Sequence, residues 1–393
     1  LRAPLWHAPG MSTSLHQRIT NQLDVLFACG WQPADLVHLV RRTLNQRTSR
    51  LMVGYLAQHA RQHDAPTRAP LEWLEQLHAI GTLQLNNGSV EGGTVIGGHG
   101  DVLDRWRRAE KLDSDDGVDA GRQLLDLLVQ APSIGVLLPP PSAWGTTNRG
   151  TGGRAGGSGA QSVEIDGKML TTIRALLAKA EATTFEAEAE AFTAKAQELM
   201  TRHSIDAAML AVKQAGGHSG VLTRRVHIDD PYADEKARFL AAIAAVNEVK
   251  CVWSPGAGFS TLMGFPVEVQ LTDMLFTSLL VQATQSSAAA TAHDSRLRTA
   301  SFRRAFLVAF ATRVAERLEA ARAVVAAEAE QQYGSSLAPV LATRRDTVER
   351  AYTEAFPSVT TMRQRSYNSM GWHAGRAAAE RADIGAGAAL ESG

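Results

Sequence analysis

Residues 165–210 read IDGKMLTTIRALLAKAEATTFEAEAEAFTAKAQELMTRHSIDAAML. Met169, Leu170, Ile173, Leu176, Leu177 and Ala180 fall on one helical face. The pattern breaks at Thr183 and Thr184. Thr183 with Glu186 has capping-box spacing, in which each side chain satisfies a free backbone N–H of the other residue. Glu186, Glu188 and Glu190 crowd the next first turns, where the helix macrodipole favours negative charge. Ala189, Phe192, Ala196, Leu199 and His203 then recur at alternating spacings of three and four. A second helix packed antiparallel on the first is therefore expected. Ser204 is expected to cap a third short helix ending at Gly216 and Gly217. Such a hairpin is too small to bury a core alone and is expected to dock on the downstream part of the chain.

Upstream lies the plainest boundary in the chain. Residues 145–159, GTTNRGTGGRAGGSG, hold no apolar side chain larger than alanine. Such a segment cannot bury enough surface to offset its ordering entropy, so a flexible linker over 142–163 is expected. It has no Gly-Lys-Ser/Thr, so it does not read as a phosphate-cradling loop despite Arg149 and Arg154.

Residues 11–141 read as a helical domain. Ile19, Leu23, Leu26 and Phe27 form the first stripe. Gly30 stands where a left-handed cap belongs, and Pro33 falls in the first turn of the next helix. Helices are also expected around Met52–Ala60, Trp73–Leu77, Leu103–Arg107 with Asp101 as cap, and Asp119–Gln130. Residues 83–100 read as a loop with a short hairpin, and 134–141, IGVLLPPP, as an apolar run stopped by prolines. Residues 1–10 precede Met11, the expected start, and read as a disordered extension.

Beyond the hairpin module, 164–217, a small α+β domain is expected over 218–387, with 388–393 as a tail. Val221–Ile228 alternates as a strand, and Val249–Trp253 and Phe259–Met263 read as a β-hairpin. Helices are expected from Pro231, from Pro266, over 302–332, over Leu337–Ala355 and over Gly371–Ala382. The fold class is thus mainly α: a helical N-terminal domain, a helical hairpin, then a small α+β domain.

The run IRALLAKAEATTFEAEAEAFTAKAQELMTRHSID resembles the domain of unknown function 2786, a short bacterial and phage module. The trailing part, about 221–387, resembles the uncharacterised domain that commonly accompanies it, domain of unknown function 7168. The pieces that carry this are HIDDPYADEK, CVWS with GFSTLMGFP, MLFTSLLVQA, SFRRAFLVAFATRVAERL and GWHAGRAAAERADI. The arrangement is similar to actinobacterial proteins. The resemblance implies no activity, substrate or cofactor, and no functional residue is carried over from it.

Composition narrows the classes. In 393 residues, Lys+Arg and Asp+Glu are 40 each, which argues against an all-over polycation. Two cysteines, Cys29 and Cys251, supply neither a disulfide framework nor a four-Cys zinc site. The N-terminus has no signal-peptide pattern, and charges interrupt every apolar run before bilayer-spanning length. A cytoplasmic protein is expected.

Four groups of residues offer chemistry. His59 and His63 in HARQH have the spacing of a zinc-peptidase helix, but Ala60 stands where the Glu base belongs, so an exposed helical surface is expected and no metal site is read. His227, Asp229 and Asp230 cluster at a strand end, with 227 and 229 alternating onto one face, as an acid/base or ligand set would require. Asp-Asp-Pro is equally ordinary helix-start chemistry. Cys251, in an apolar hairpin, is expected in the core. Arg296, Arg298, Arg303 and Arg304 flank a helix start where cations oppose the macrodipole, which points to an anion or nucleic acid there. Tyr367 and Trp372, beside Arg363, Arg365 and Arg376, offer stacking surface.

A non-enzymatic binding or adaptor module, with nucleic acid or another protein as partner, is the function expected. The alternative is an intracellular hydrolase using His227, Asp229 and Asp230. Neither a cofactor nor an oligomeric state emerges from the sequence.

Overall fold

The computed structural model describes residues 9–86, 89–92, 101–145, 167–183, 186–213, 220–292, 297–359 and 368–381. The chain divides into two compact units, one of Leu1–Ala155 with Gly256–Gly258, the other of Gly156–Pro255 with Phe259–Gly393. It is mainly helical, with a small three-stranded antiparallel sheet in the C-terminal half.

The first unit contains α1 (Pro9–Ala28), α2 (Pro33–Thr43), α3 (Gln46–Gln62), α4 (Ala65–Arg68), α5 (Leu71–Ala79), a hairpin of β1 (Leu83–Asn86) and β2 (Ser89–Gly92), α6 (Val102–Ala109) and α7 (Ser114–Gln130). Its helix ends obey local chemistry. Gly30 sits at φ 95°, and a Cβ there would collide with the carbonyl oxygens of Ile134 and Gly135. Asp101 accepts from the Leu103 N–H at 2.8 Å and so caps α6. The α7 helix begins five residues before the expected Asp119, because Asp113 caps it by accepting from Asp116 N–H at 2.8 Å. Trp31, Tyr55, Trp73 and Trp106 are buried in the core. Trp144, inside the expected linker, is also buried, with its ring edge on Trp73 at 5.4 Å. Residues 146–163 of that linker, residues 1–8 and the tail lie outside the described residues.

The second unit contains α8 (Gly167–Ala182), α9 (Glu186–Lys213), β3 (Leu222–His227), α10 (Ala233–Val246), β4 (Lys250–Ser254), β5 (Phe259–Gly264), α11 (Pro266–Ala292), α12 (Ala300–Tyr333), α13 (Leu337–Ala355) and α14 (Ser369–Arg381). The strand order is β3-β5-β4, antiparallel throughout, with His227 and Ser254 both opposite Phe259. The central strand β5 is buried along its length.

Ile173, Leu177, Ala196 and Met200 of the hairpin join Phe239, Leu240, Phe306 and Phe310 in one core. The hairpin is thus docked on the downstream elements. The α14 helix lies close on α12 because Gly371 and Gly375 face the backbone of Phe302 and Phe306, where any Cβ would collide with the carbonyl oxygens.

One expectation fails here. The α9 helix runs unbroken through Ser204 for 28 residues, with no third helix starting there. The Ser204 hydroxyl donates to the Glu268 carboxylate instead of capping a backbone N–H. Ile205, Ala208 and Met209 continue the buried face past it.

Candidate functional site

The second unit carries a cleft of about 230 Å³ bounded by α9, the α10–β4 turn and α11 to α13. Its apolar lining comes from Met200, Ile205, Leu271, Ala323, Ala326 and Leu341. Its polar lining includes Glu248, Glu268, Glu319, Arg322, Arg344 and Arg345. Two charged knots close its rim. Glu268 accepts from Arg344 at 2.5 Å and from Ser204, and Arg344 also lies 3.6 Å over the Phe265 ring. Glu248 accepts from Arg322 and, at 2.9 Å, from Arg345.

Glu248 is held by a distinctive turn. The Val249 N–H donates to Ala244 O at 2.9 Å and the Glu248 N–H to Ala245 O at 3.3 Å. These two bonds make a Schellman end to α10, whose left-handed position normally falls to glycine. Glu248 occupies it at φ 58°. A side chain there is disfavoured by about 1 kcal/mol, so the carboxylate is presented to its arginines despite the backbone preference.

Behind the cleft, the α9 face is polar where the sequence pattern made it apolar. Thr193, Gln197 and Thr201 are buried, while Phe192, Leu199 and His203 are only half-buried. Gln197 is fully buried. Its amide N–H donates to Thr201 Oγ1 at 3.1 Å and to Asn247 Oδ1 at 3.3 Å, and both of those residues line the cleft. The Gln197 Oε1 atom is buried without a hydrogen-bond partner among the described residues.

Residues 168–207 match the family described as "Protein of unknown function (DUF2786)". No curated protein and no solved structure matches the chain. The DUF2786 segment thus supplies α8, most of α9, and with it Met200, Thr201, Ser204 and Ile205 of the cleft.

The residues singled out from sequence fall elsewhere. His227 ends β3, so the strand alternation does not extend to Asp229. Asp229 and Asp230 are exposed in the turn before α10, where the Asp229 carbonyl accepts from Lys236 Nζ at 2.8 Å. Burial lowers the Lys236 pKa, and the Asp229 and Asp230 charges oppose that shift. His227 lies close enough to Asp273 of α11 to influence its ionisation. Burial pushes the Asp273 carboxyl up, while Arg224 at 3.1 Å and His227 pull it down. Cys251 packs half-buried against the core, and burial pushes its thiol up to about 12. That thiol is protonated at neutral pH and is no ready nucleophile.

The arginine group divides. Arg296 lies outside the described residues, as do Arg363, Arg365 and Tyr367. Arg298 donates to Thr291 O at 3.1 Å and Ala292 O at 3.0 Å, so it caps the C-terminal end of α11, where a cation is favoured. Arg304 lies 3.8 Å from buried Glu235 and 5.9 Å from the Tyr232 ring centroid. Arg303 is exposed on the first turn of α12. Arg376 reaches Glu316 at 3.4 Å.

The HARQH pair departs most from expectation. His59 is 4% exposed rather than on the surface, because α3 turns it inward against Phe27 and toward Asp24 of α1. Sequence reasoning singled out neither Glu248 nor Arg344 nor Arg345. Each reads alone as a solvated charge, and only the left-handed Asn-Glu turn marked one of them locally.

Proposed function

We propose that this protein is a non-enzymatic binding module whose second unit takes an anionic group, attached to an apolar body, in the cleft. The observation that carries the reading is the sharing of one carboxylate, Glu248, by two guanidiniums, Arg322 and Arg345. Two cations on one anion leave local positive charge, and Arg345, 59% exposed at its side chain, is placed to swing onto an incoming carboxylate or phosphate. The apolar lining suits a neighbouring hydrophobic group. Across the whole cleft three glutamates offset three arginines. That balance favours a single anionic group over a polyanion, and a protein segment with a free carboxylate over a nucleic-acid strand.

The test uses the full chain, a labelled peptide ending in an apolar residue with a free C-terminal carboxylate, its amidated form, and a labelled single-stranded oligonucleotide. The free-acid peptide should bind better, and Arg345→Glu should weaken it about tenfold or more. Salt-sensitive binding of the oligonucleotide alone would support the nucleic-acid partner instead. Binding of neither probe would remove the cleft as a recognition site.

The hydrolase reading keeps His227, Asp229 and Asp230 as its residues, an acid–base combination in which His227 ends β3 and both aspartates are exposed in the turn before α10. A hydrolytic activity lost in His227→Gln, with the thermal midpoint unchanged, would establish it. Residues 221–387 are read as the domain of unknown function 7168, on motif pieces such as HIDDPYADEK and GWHAGRAAAERADI, in a bacterial protein of actinobacterial type acting in the cytoplasm. Among the described residues, no helix is long and apolar enough to cross a membrane.

A further inference from the structure

Asp24, His59 and His63 in the first unit bring two imidazole nitrogens and a carboxylate oxygen within 4.8 Å of one another. The same Asp24 oxygen, Oδ1, lies 2.8 Å from His59 Nε2 and 3.5 Å from His63 Nε2. His59 stands in the last turn of α3 and His63 at its C-cap, so helical spacing sets one ring over the other. Their centroids are 4.1 Å apart with planes at 20°.

We propose that these three residues form a site for one divalent transition-metal ion of the zinc class, held by the two Nε2 atoms and an Asp24 carboxylate oxygen, with water completing the shell. Zinc–nitrogen and zinc–oxygen bonds of about 2.0–2.2 Å place tetrahedral ligands about 3.3–3.5 Å apart. The separations of 2.8 and 3.5 Å bracket that value, and entry of an ion requires the His59–Asp24 contact to open and the stacked rings to turn so that both Nε2 lone pairs meet the ion.

The donor set decides the class of ion. Two imidazoles with one carboxylate suit zinc, cobalt or nickel, whereas calcium and magnesium want oxygen ligands throughout. The burial gradient suits a site as well. His59 is 4% exposed and fixed with its ring edge against Phe27 at 4.9 Å. His63 at 30% and Asp24 at 55% leave an open side for entry and for water. A plain core histidine bonded to Asp24 accounts for the His59 contact alone. It gives no reason for the more exposed His63 ring to stack inward on the same oxygen. With Ala60 at the place of the peptidase glutamate, the inference is binding and not hydrolysis.

The test strips the full chain with chelator and titrates it with cobalt(II), then with zinc(II) in competition. One equivalent should bind, with visible cobalt d–d absorption and its loss on adding zinc. His63→Ala and Asp24→Asn lie on the open side. Each should weaken binding about tenfold or more, with far-UV circular dichroism unchanged in the metal-free form. Long-range proton–nitrogen NMR of the wild type supplies a readout that no variant's folding can confound: zinc should shift a ring nitrogen in two histidines together. Absence of stoichiometric binding, binding unaltered in both variants, or zinc shifts at no histidine pair would overturn the site.

Discussion

Arg344 and Glu268 meet at 2.5 Å on the rim of the cleft, with side chains only 15% and 11% exposed. A pair so placed stabilises less than its Coulomb attraction suggests, because both groups lose water. Removing one partner is the severe change. Arg344→Ala leaves Glu268 with the Ser204 hydroxyl, while its other oxygen is buried without a partner among the described residues. Fully buried pairs cost about 3–5 kcal/mol when broken, and the residual exposure here reduces that to about 2–3 kcal/mol. Ser204→Ala should cost about 1 kcal/mol. Urea midpoints at constant slope would measure both, and an Arg344→Ala midpoint matching wild type would refute the role given to the pair.

Glu248 permits a test of backbone strain free of its charge. Glu248→Ala and Glu248→Gly both lose the carboxylate that Arg322 and Arg345 share. They differ only in how readily they adopt φ 58°. Glycine should be the more stable by about 1 kcal/mol, the reverse of its usual deficit. Equal chemical stabilities would mean that the turn relaxes.

Cys251 should react slowly. With its thiol pushed up to about 12, its thiolate fraction at pH 8 is roughly a thousandfold below that of an ordinary thiol. Iodoacetamide labelling, read by peptide mass mapping, should modify Cys251 rapidly only after unfolding. Rapid modification in the native protein would contradict its placement.

Asp273 should make stability depend on pH. Burial raises its folded pKa above the unfolded value of 3.8, chiefly by disfavouring the charged form. The contribution is therefore fully present below about pH 3.8 and is lost as pH rises through the folded pKa. Asp273→Asn removes that loss along with the Arg224 contact. The wild type should lose stability relative to this variant as pH rises from 4 toward neutrality. A flat difference across that range, from denaturation at each pH, would argue against the shift.

Much of the architecture was legible because it is local. Gly30, Pro33 and Asp101 mark helix ends through φ preference, a missing N–H and a side-chain acceptor, all satisfied within a few residues. Leu337–Ala355 and the Lys250–Gly264 hairpin could be placed for the same reason. The faces were less legible. The α9 pattern put Phe192, Leu199 and His203 inside, whereas Thr193, Gln197 and Thr201 are buried. Alanines on every side of that helix give hydrophobic periodicity little contrast, and Asn247, the partner of Gln197, lies 50 residues away.

The site residues escaped sequence reading on the same ground. Arg298 and Arg304 looked like uncompensated charge at a helix start. Arg298 instead serves the end of the preceding helix, and Arg304 lies beside Glu235 of α10. Glu248 meets its arginines across 74 and 97 residues of chain, and Asp24 meets His59 across 35.

By itself the sequence determined most of the helices and the β-hairpin, since these rest on contacts within a turn or two. Tertiary structure alone decided that Ser204 sits inside a continuous helix, that Glu248 gathers two arginines and that His59 turns inward to Asp24. Each depends on two distant segments meeting, and a burial or charge pairing between segments leaves no periodicity in either one.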